Sequence, residues 1–214
     1  NGNDTFPAEA PPLITRMIAD AGYECGLIGK FHLVSAGMRP EPRLDDGFTD
    51  WWHSHAPRDD WSPGTHDYAD WVRAKGGDLN TLRESEQRVP TELHQTTWAS
   101  ERAIEFITRE RVDAQPWLLN INVYDPHPPF IPPQSYADRF NAADMPGPYF
   151  RESDLAHQAK LASVDFQGDV KTPKEHDAHD AQAKYYAMIA QIDDQFARIL
   201  QTLDETGQRD NTVV

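Results

Sequence analysis

The pattern of hydrophobic and polar positions along the chain is typical of an α/β fold. Apolar side chains recur at helical spacing in four segments, which we predict to be helices: 11–21, 68–75, 97–109 and 181–206. Short apolar runs predict buried strands in two places, with a third strand opening near the last residue: 25–29, 117–124 and 212–214. Residues 38–66 and 141–180 show no sustained period, so we predict long irregular segments there.

Composition and charge exclude several classes of protein. The chain has 214 residues, 38% of them hydrophobic, and no apolar run that could span a membrane. Its net charge of −15 argues against a nucleic-acid partner, which requires a basic surface. Cys25 is the only cysteine, which excludes a disulfide framework or a Cys-based zinc site. Because Cys25 lies in a predicted strand with no adjacent base, we expect it in the core and not as a nucleophile.

Polar residues follow both predicted strands directly at their carboxyl ends. Lys30 and His32 come after the first strand, and His127 comes after the second. If the two strands are parallel in one sheet, these side chains converge at the edge where open α/β sheets bind ligands. A lysine and two imidazoles suit a tetrahedral oxyanion, and a chain this acidic needs such a local cluster to hold one. The alternative is a solvated lysine and two hydrogen-bonded loop histidines.

A second group of polar and aromatic residues lies between 51 and 66. Five of its members could form a transition-metal site: His53, His55, Asp59, Asp60 and His66. Because no fixed ligand spacing is visible, the alternative is a loop that determines specificity. In that case Trp52, His53 and His55 are substrate-binding candidates, and their chemistry suits a sugar or an aryl ester.

Several motifs resemble those of the sulfatase family, within the alkaline-phosphatase-like superfamily. Residues 21–33, AGYECGLIGKFHL, resemble the family segment AGY-x-T-x-x-IGKWHLG, and residues 46–49 resemble the GFD-type turn that follows it. Residues 125–130 resemble the PHxPF segment. Residues 185–195 resemble the YYAxIxxxDxxxG helix, and residues 203–214 its L-x-x-x-G-x-x-DNTVV continuation. The matches occur in the family's order.

The resemblance implies an α/β sandwich around a mixed, largely parallel sheet, and hydrolysis of a sulfate ester. It implies a formylglycine, made from Cys or Ser in a C/S-x-P/A-x-R motif and bound next to calcium, whose hydrate attacks sulfur. By position, the catalytic residues are Lys30, which resembles the lysine bridging the formylglycine and the sulfate oxygens, and His32, which resembles the histidine assisting deprotonation of the hydrate. His127 resembles the histidine that donates near the leaving oxygen, so Lys30 and His127 also bind substrate.

The family pattern is incomplete within these 214 residues. They contain neither a C/S-x-P/A-x-R motif nor the Ser-Asp-His-Gly segment that binds metal. We therefore interpret residues 1–214 as an internal part of a sulfatase-like catalytic domain, with no metal ligands of its own. We expect this chain alone not to hydrolyse an aryl sulfate.

The resemblance also bears on partners and location, and it leaves two alternatives open. It implies a small-molecule or glycan sulfate ester as substrate and a periplasmic or secreted protein. One alternative is a phosphate or phosphonate ester hydrolase of the same superfamily, although the Gly-Lys-x-His segment at 29–32 favours a sulfatase. The other is a non-catalytic relative that binds a glycan.

Overall fold

A computed structural model describes residues 6–7, 9–33, 43–58, 60–84, 89–162 and 178–214. The strands are β1 (Glu24–Gly29), β2 (Asp50–His53) and β3 (Trp117–Asn122). The α-helices are α1 (Ile14–Asp20), α2 (Asp67–Ala74), α3 (Leu79–Glu84), α4 (Gln95–Thr108), α5 (Gln134–Ala137), α6 (Glu152–Leu161) and α7 (Ala178–Glu205). Short 3₁₀ helices lie at Thr91–Leu93, Val112–Ala114, Ala142–Asp144 and Arg209–Asn211.

The three strands form one parallel sheet in the order β2-β1-β3. Gly29, the last residue of the central strand, pairs with His53 of β2 and with Asn122 of β3. The carboxyl ends of all three strands therefore meet at one edge of the sheet, called the carboxyl edge below. The strands at Glu24–Gly29 and Trp117–Asn122 confirm two predicted strands and the parallel α/β class.

Helices cover both faces of this sheet. Side chains of β1 alternate between the faces, so that Ile28 packs in a cluster with residues of α2, α4 and α7. Cys25 and Leu27 lie on the other face, against Ile18 of α1 and Phe48. Because Ile28 and Leu27 are fully buried, each contributes about 1.5–3 kcal/mol to stability. This layering is the predicted α/β sandwich.

All four predicted helices are present, with ends shifted by a few residues. The prediction of an irregular segment over 38–66 was wrong at 50–53, because pairing with β1 makes these four residues a strand. The prediction of an irregular segment over 141–180 was wrong at 152–161, where α6 has no buried residue and hence no apolar stripe to reveal it. Residues 212–214 are not paired as a strand within the described part of the chain. Among the described helices, none combines the length and apolar character needed to cross a membrane.

Candidate functional site

Five of the six residues predicted to be catalytic or substrate-binding lie at the carboxyl edge. Lys30 and His32 follow β1, His53 ends β2 with His55 just beyond it, and His127 follows β3. The parallel pairing of the strands is the reason for this convergence, because residues that follow parallel neighbours share one edge.

Four aromatic rings connect these loops across the edge, and we call them the ring row: His32, His55, Tyr124 and His127. The ring centroids of His32 and His55 are 6.5 Å apart, and those of His55 and Tyr124 are 6.0 Å apart. Tyr124 and His127 are 4.8 Å apart. The ring row therefore runs from the loop after β1, past the loop after β2, to the loop after β3.

The backbone of Lys30 is fixed by the neighbouring strand. Its N–H donates to the carbonyl oxygen of Asn122 over 3.4 Å, and its own carbonyl oxygen accepts from Asn122 Nδ2 over 3.0 Å. Two residues later, His32 has φ of +60°, which is uncommon for a residue other than glycine. Such strain costs about 1–3 kcal/mol and clusters at functional sites, which supports a functional role for this loop.

His53 and His55 each have one ring nitrogen paired and one enclosed. His53 Nδ1 donates to the carbonyl oxygen of Thr65 over 2.9 Å, so in the neutral ring Nε2 carries the lone pair. His55 Nδ1 accepts from the N–H of Ala56 over 2.7 Å, so its Nε2 carries the proton. Both Nε2 atoms are buried, and neither has a hydrogen-bond partner among the described residues. Burial, and next the positive charge of Lys30, lower the pKa of His55 to about 3, so that His55 is a neutral donor.

His66 supports this pair from the start of α2. It is the N-cap residue of α2, where its Nδ1 accepts from the N–H of Ala69, and its ring lies 4.9 Å from that of Trp61. Burial lowers the pKa of His66 to about 4. No three His, Cys, Asp or Glu residues of the described ranges could together hold a metal ion. Of the five residues predicted as a transition-metal site, Asp59 lies outside the described residues. The other four do not form such a site, so they give the hypothesis no support.

The neutral state of His66 predicts a loss of stability in mild acid. The unfolded chain takes up a proton at His66 below pH 6.5, whereas the folded chain does so only near pH 4. The free energy of unfolding should therefore fall as the pH drops through this window. His66→Asn keeps a capping acceptor. In this variant, urea unfolding at several pH values should show that the free energy of unfolding depends less steeply on pH, by up to about 1.4 kcal/mol per pH unit. The matched control is the same substitution at His157, an exposed residue of α6. An unchanged slope in His66→Asn would contradict the assignment.

His127 is exposed, and its hydrogen bond defines the ring's reactive nitrogen. Nδ1 donates to the carbonyl oxygen of Pro128 over 2.6 Å, which leaves Nε2 for a ligand. The Tyr124 hydroxyl donates to the same carbonyl over 2.9 Å. Burial raises the pKa of Tyr124, so it remains a neutral hydrogen-bond donor. The two side chains together fix the turn that carries His127.

Two other residues lie away from the carboxyl edge. Trp52 packs its ring against Phe106 of α4, 6.3 Å between centroids, because it points to the opposite face of β2 from His53. The structure therefore does not bring Trp52 to the other site residues. Cys25 is fully buried, and burial raises the pKa of its thiol, which confirms its place in the core.

Sequence reasoning missed the residues that hold the site together. Asn122 and Tyr124 are among them, as is the first turn of α4, which contacts two of the loops at the edge. One signal was available, since Asn122 is, with Asn120, one of two polar residues in a strand that is otherwise apolar. Such a residue indicates a specific hydrogen-bond partner.

Comparison with known proteins identifies the class to which this fold and site belong. The sequence profile of the sulfatase family matches residues 2–214, and the chain belongs to that family. The arylsulfatase of Clostridium perfringens is 27% identical over 224 residues, which covers 94% of this chain and 44% of the relative. The chain spans less than half the length of the curated relatives that it matches.

Two solved structures share the fold of this chain. A phosphonate monoester hydrolase from Silicibacter pomeroyi superposes with a TM-score of 0.70 at 16% identity, covering 99% of this chain and 47% of that one. A protein solved in complex with its substrate D-glucosamine-2-N,6-O-disulfate superposes with a TM-score of 0.57 at 17% identity, covering 99% and 50%. These likenesses confirm the predicted fold class.

Proposed function

We propose that this chain supplies the sulfate-contacting part of the active site of a sulfuric ester hydrolase. The observation that carries the proposal is the convergence of Lys30, His32 and His127 at the carboxyl edge of a parallel sheet. Family membership supports the reaction class. The whole protein is then an enzyme, and its substrate is a small-molecule or glycan sulfate ester.

In this proposal each of the three residues has a distinct role. The Lys30 ammonium group binds anionic sulfate oxygens, where it stabilises the charge that develops in the transition state. In its imidazolium form, His127 has Nδ1 bonded to the Pro128 carbonyl and a transferable proton on Nε2, which it donates to the leaving oxygen. His32 supplies a ring nitrogen for proton transfer at the other end of the ring row.

Calcium and formylglycine remain predictions from the family. The described residues do not fit a calcium site, because no group of His, Cys, Asp or Glu among them could hold a metal ion. Cys25 is enclosed in the core and lacks the modification motif, so it does not fit the nucleophile. The periplasmic or secreted location likewise remains a prediction.

We place binding of the substrate beyond its sulfate group at His53 and His55. Their enclosed Nε2 atoms present one acceptor and one donor, which together complement a hydroxyl group. Buried polar atoms of this kind call for a partner, and a hydroxylated alcohol such as a sugar supplies it. The fold accommodates such a ligand, since one neighbour was solved with a sulfated glucosamine.

A phosphate or phosphonate ester hydrolase is the second candidate. It is favoured by the fold shared with a phosphonate monoester hydrolase and by the similar shape of the two anionic groups. An edge of one lysine and several imidazoles binds either anion, so the two candidates differ only in which ester turns over faster.

The test is a comparison of three 4-nitrophenyl esters with the full-length protein. We expect kcat/KM for the sulfate to exceed that for the phosphate and the phenylphosphonate by about tenfold or more. The measurement is release of 4-nitrophenolate under identical conditions. A higher kcat/KM for the phosphonate would favour the second candidate. Binding of sulfated glycans without turnover of any ester would instead favour a non-catalytic relative.

A further inference from the structure

The first turn of α4 contacts both loops that carry site histidines. Gln95 Nε2 donates to the carbonyl oxygen of His55 over 2.9 Å. Thr96 Oγ1 donates to Asp125 Oδ2 over 2.6 Å. Asp125 lies two residues before His127. Adjacent residues of one rigid helix therefore fasten the loop after β2 and the loop after β3.

The loop that carries His127 is held by α4 at both of its ends. Thr96 and Asp125 are 2% and 9% exposed, so their hydrogen bond joins a hydroxyl to an acidic side chain away from solvent. The Asp125 side chain also lies at the helix N-terminus, where the helix dipole favours a negative charge. Beyond His127, His94 Nε2 donates to the carbonyl oxygen of Ile131 over 3.2 Å. Loop residues 125–131 are thus held near both ends, by Thr96 of α4 and by His94, the N-cap residue of that helix.

We propose that Thr96 acts through Asp125 as a positioning residue for His127. This inference rests on the proposed function, in which His127 donates a proton to the leaving oxygen. The His127 side chain is exposed and its only described hydrogen bond is to the adjacent Pro128, so its position follows that of the loop backbone. Removing the Thr96 hydroxyl leaves a buried carboxyl group without this donor, and the loop must move to solvate it.

The test uses the dependence of rate on the leaving group, measured in the full-length protein. An alkyl sulfate needs a proton on its departing oxygen, whereas 4-nitrophenyl sulfate releases a stable anion without one. In Thr96→Val we expect kcat to fall by about 10²-fold or more for the alkyl ester and by less than about tenfold for the aryl ester. Thr96→Ser, which restores the hydroxyl, should recover most of the alkyl rate.

Thr97→Val is the matched control. Thr97 is the next residue of α4 and is equally buried, but its hydroxyl accepts from Gln191 of α7 and not from the loop. Its loss should lower both rates by the same factor, as any purely structural defect does. If Thr96→Val fails to fold, Asp125→Ala removes the acceptor of the same hydrogen bond and should show the same selective loss.

The positioning role and the proposed function are overturned by different outcomes. Equal losses for both esters in Thr96→Val, or a selective loss in Thr97→Val, would overturn the positioning role while the wild-type rates still support the hydrolase. No turnover of either ester by the wild-type protein would overturn the proposed function, and the role of Thr96 with it.

Discussion

Replacing Lys30 with alanine in the full-length protein is expected to lower kcat/KM for an aryl sulfate by about 10²- to 10³-fold. The ammonium group is the one fixed positive charge that we assign to the sulfate, and a protein with a net charge of −15 repels the anion elsewhere. The backbone of Lys30 is held by Asn122, so truncation removes the charge without releasing the strand end. The measurement is the initial rate of aryl sulfate hydrolysis, with kcat and KM determined separately.

Two further variants separate charge from geometry. Lys75→Ala removes a lysine at the end of α2 whose ammonium lies 4.0 Å from the Trp71 ring centroid, and it should leave the rate unchanged. Lys30→Arg keeps the positive charge in a larger, planar group and should recover only part of the rate. His127→Ala should also lose most activity. Rates like those of the wild type in both Lys30→Ala and His127→Ala would exclude this site.

The convergence of the site could be predicted from sequence because it depends on two local patterns and one general rule. The apolar runs that became β1 and β3 are visible in the sequence, and the rule places residues after parallel strands at one edge. Lys30, His32 and His127 follow from these alone. The edge strand β2 was not visible, because its four residues become a strand only by pairing with β1.

The remaining features depend on register and on contacts between distant residues. Trp52 and His53 are adjacent, and only the pairing of β2 decides which one faces the core. Gln95 bonds to a residue 40 positions away along the chain, and Thr96 to one 29 positions away. No local pattern in the first turn of a helix predicts such hydrogen bonds. A single sequence is therefore a good guide to which helices and strands form. It is a poor guide to which loops the end of a helix contacts.

Gly29→Ala is expected to reduce the free energy of unfolding by about 3 kcal/mol or more, the largest stability effect that we predict. Gly29 has φ of +106°, and a Cβ there would lie 1.9 Å from the carbonyl oxygen of Asn122. That oxygen accepts the hydrogen bond from the N–H of Lys30, so the new methyl group must separate β1 from β3 at the carboxyl edge. Denaturant unfolding measures the loss.

Gly22→Ala separates the two causes of this loss. Gly22 has a similar φ of +95° but no atom within 4 Å of an added Cβ, so only the backbone strain of about 1–2 kcal/mol should appear. Equal losses in the two variants would contradict a contribution from the contact between the added Cβ and Asn122. We expect Gly29→Ala to lose more stability than Gly22→Ala. We also expect a lower kcat/KM in the fraction of Gly29→Ala that remains folded, because the strand contact that requires glycine also positions Lys30. The stability of the sheet edge and the placement of the sulfate-binding charge then depend on the same pair of residues.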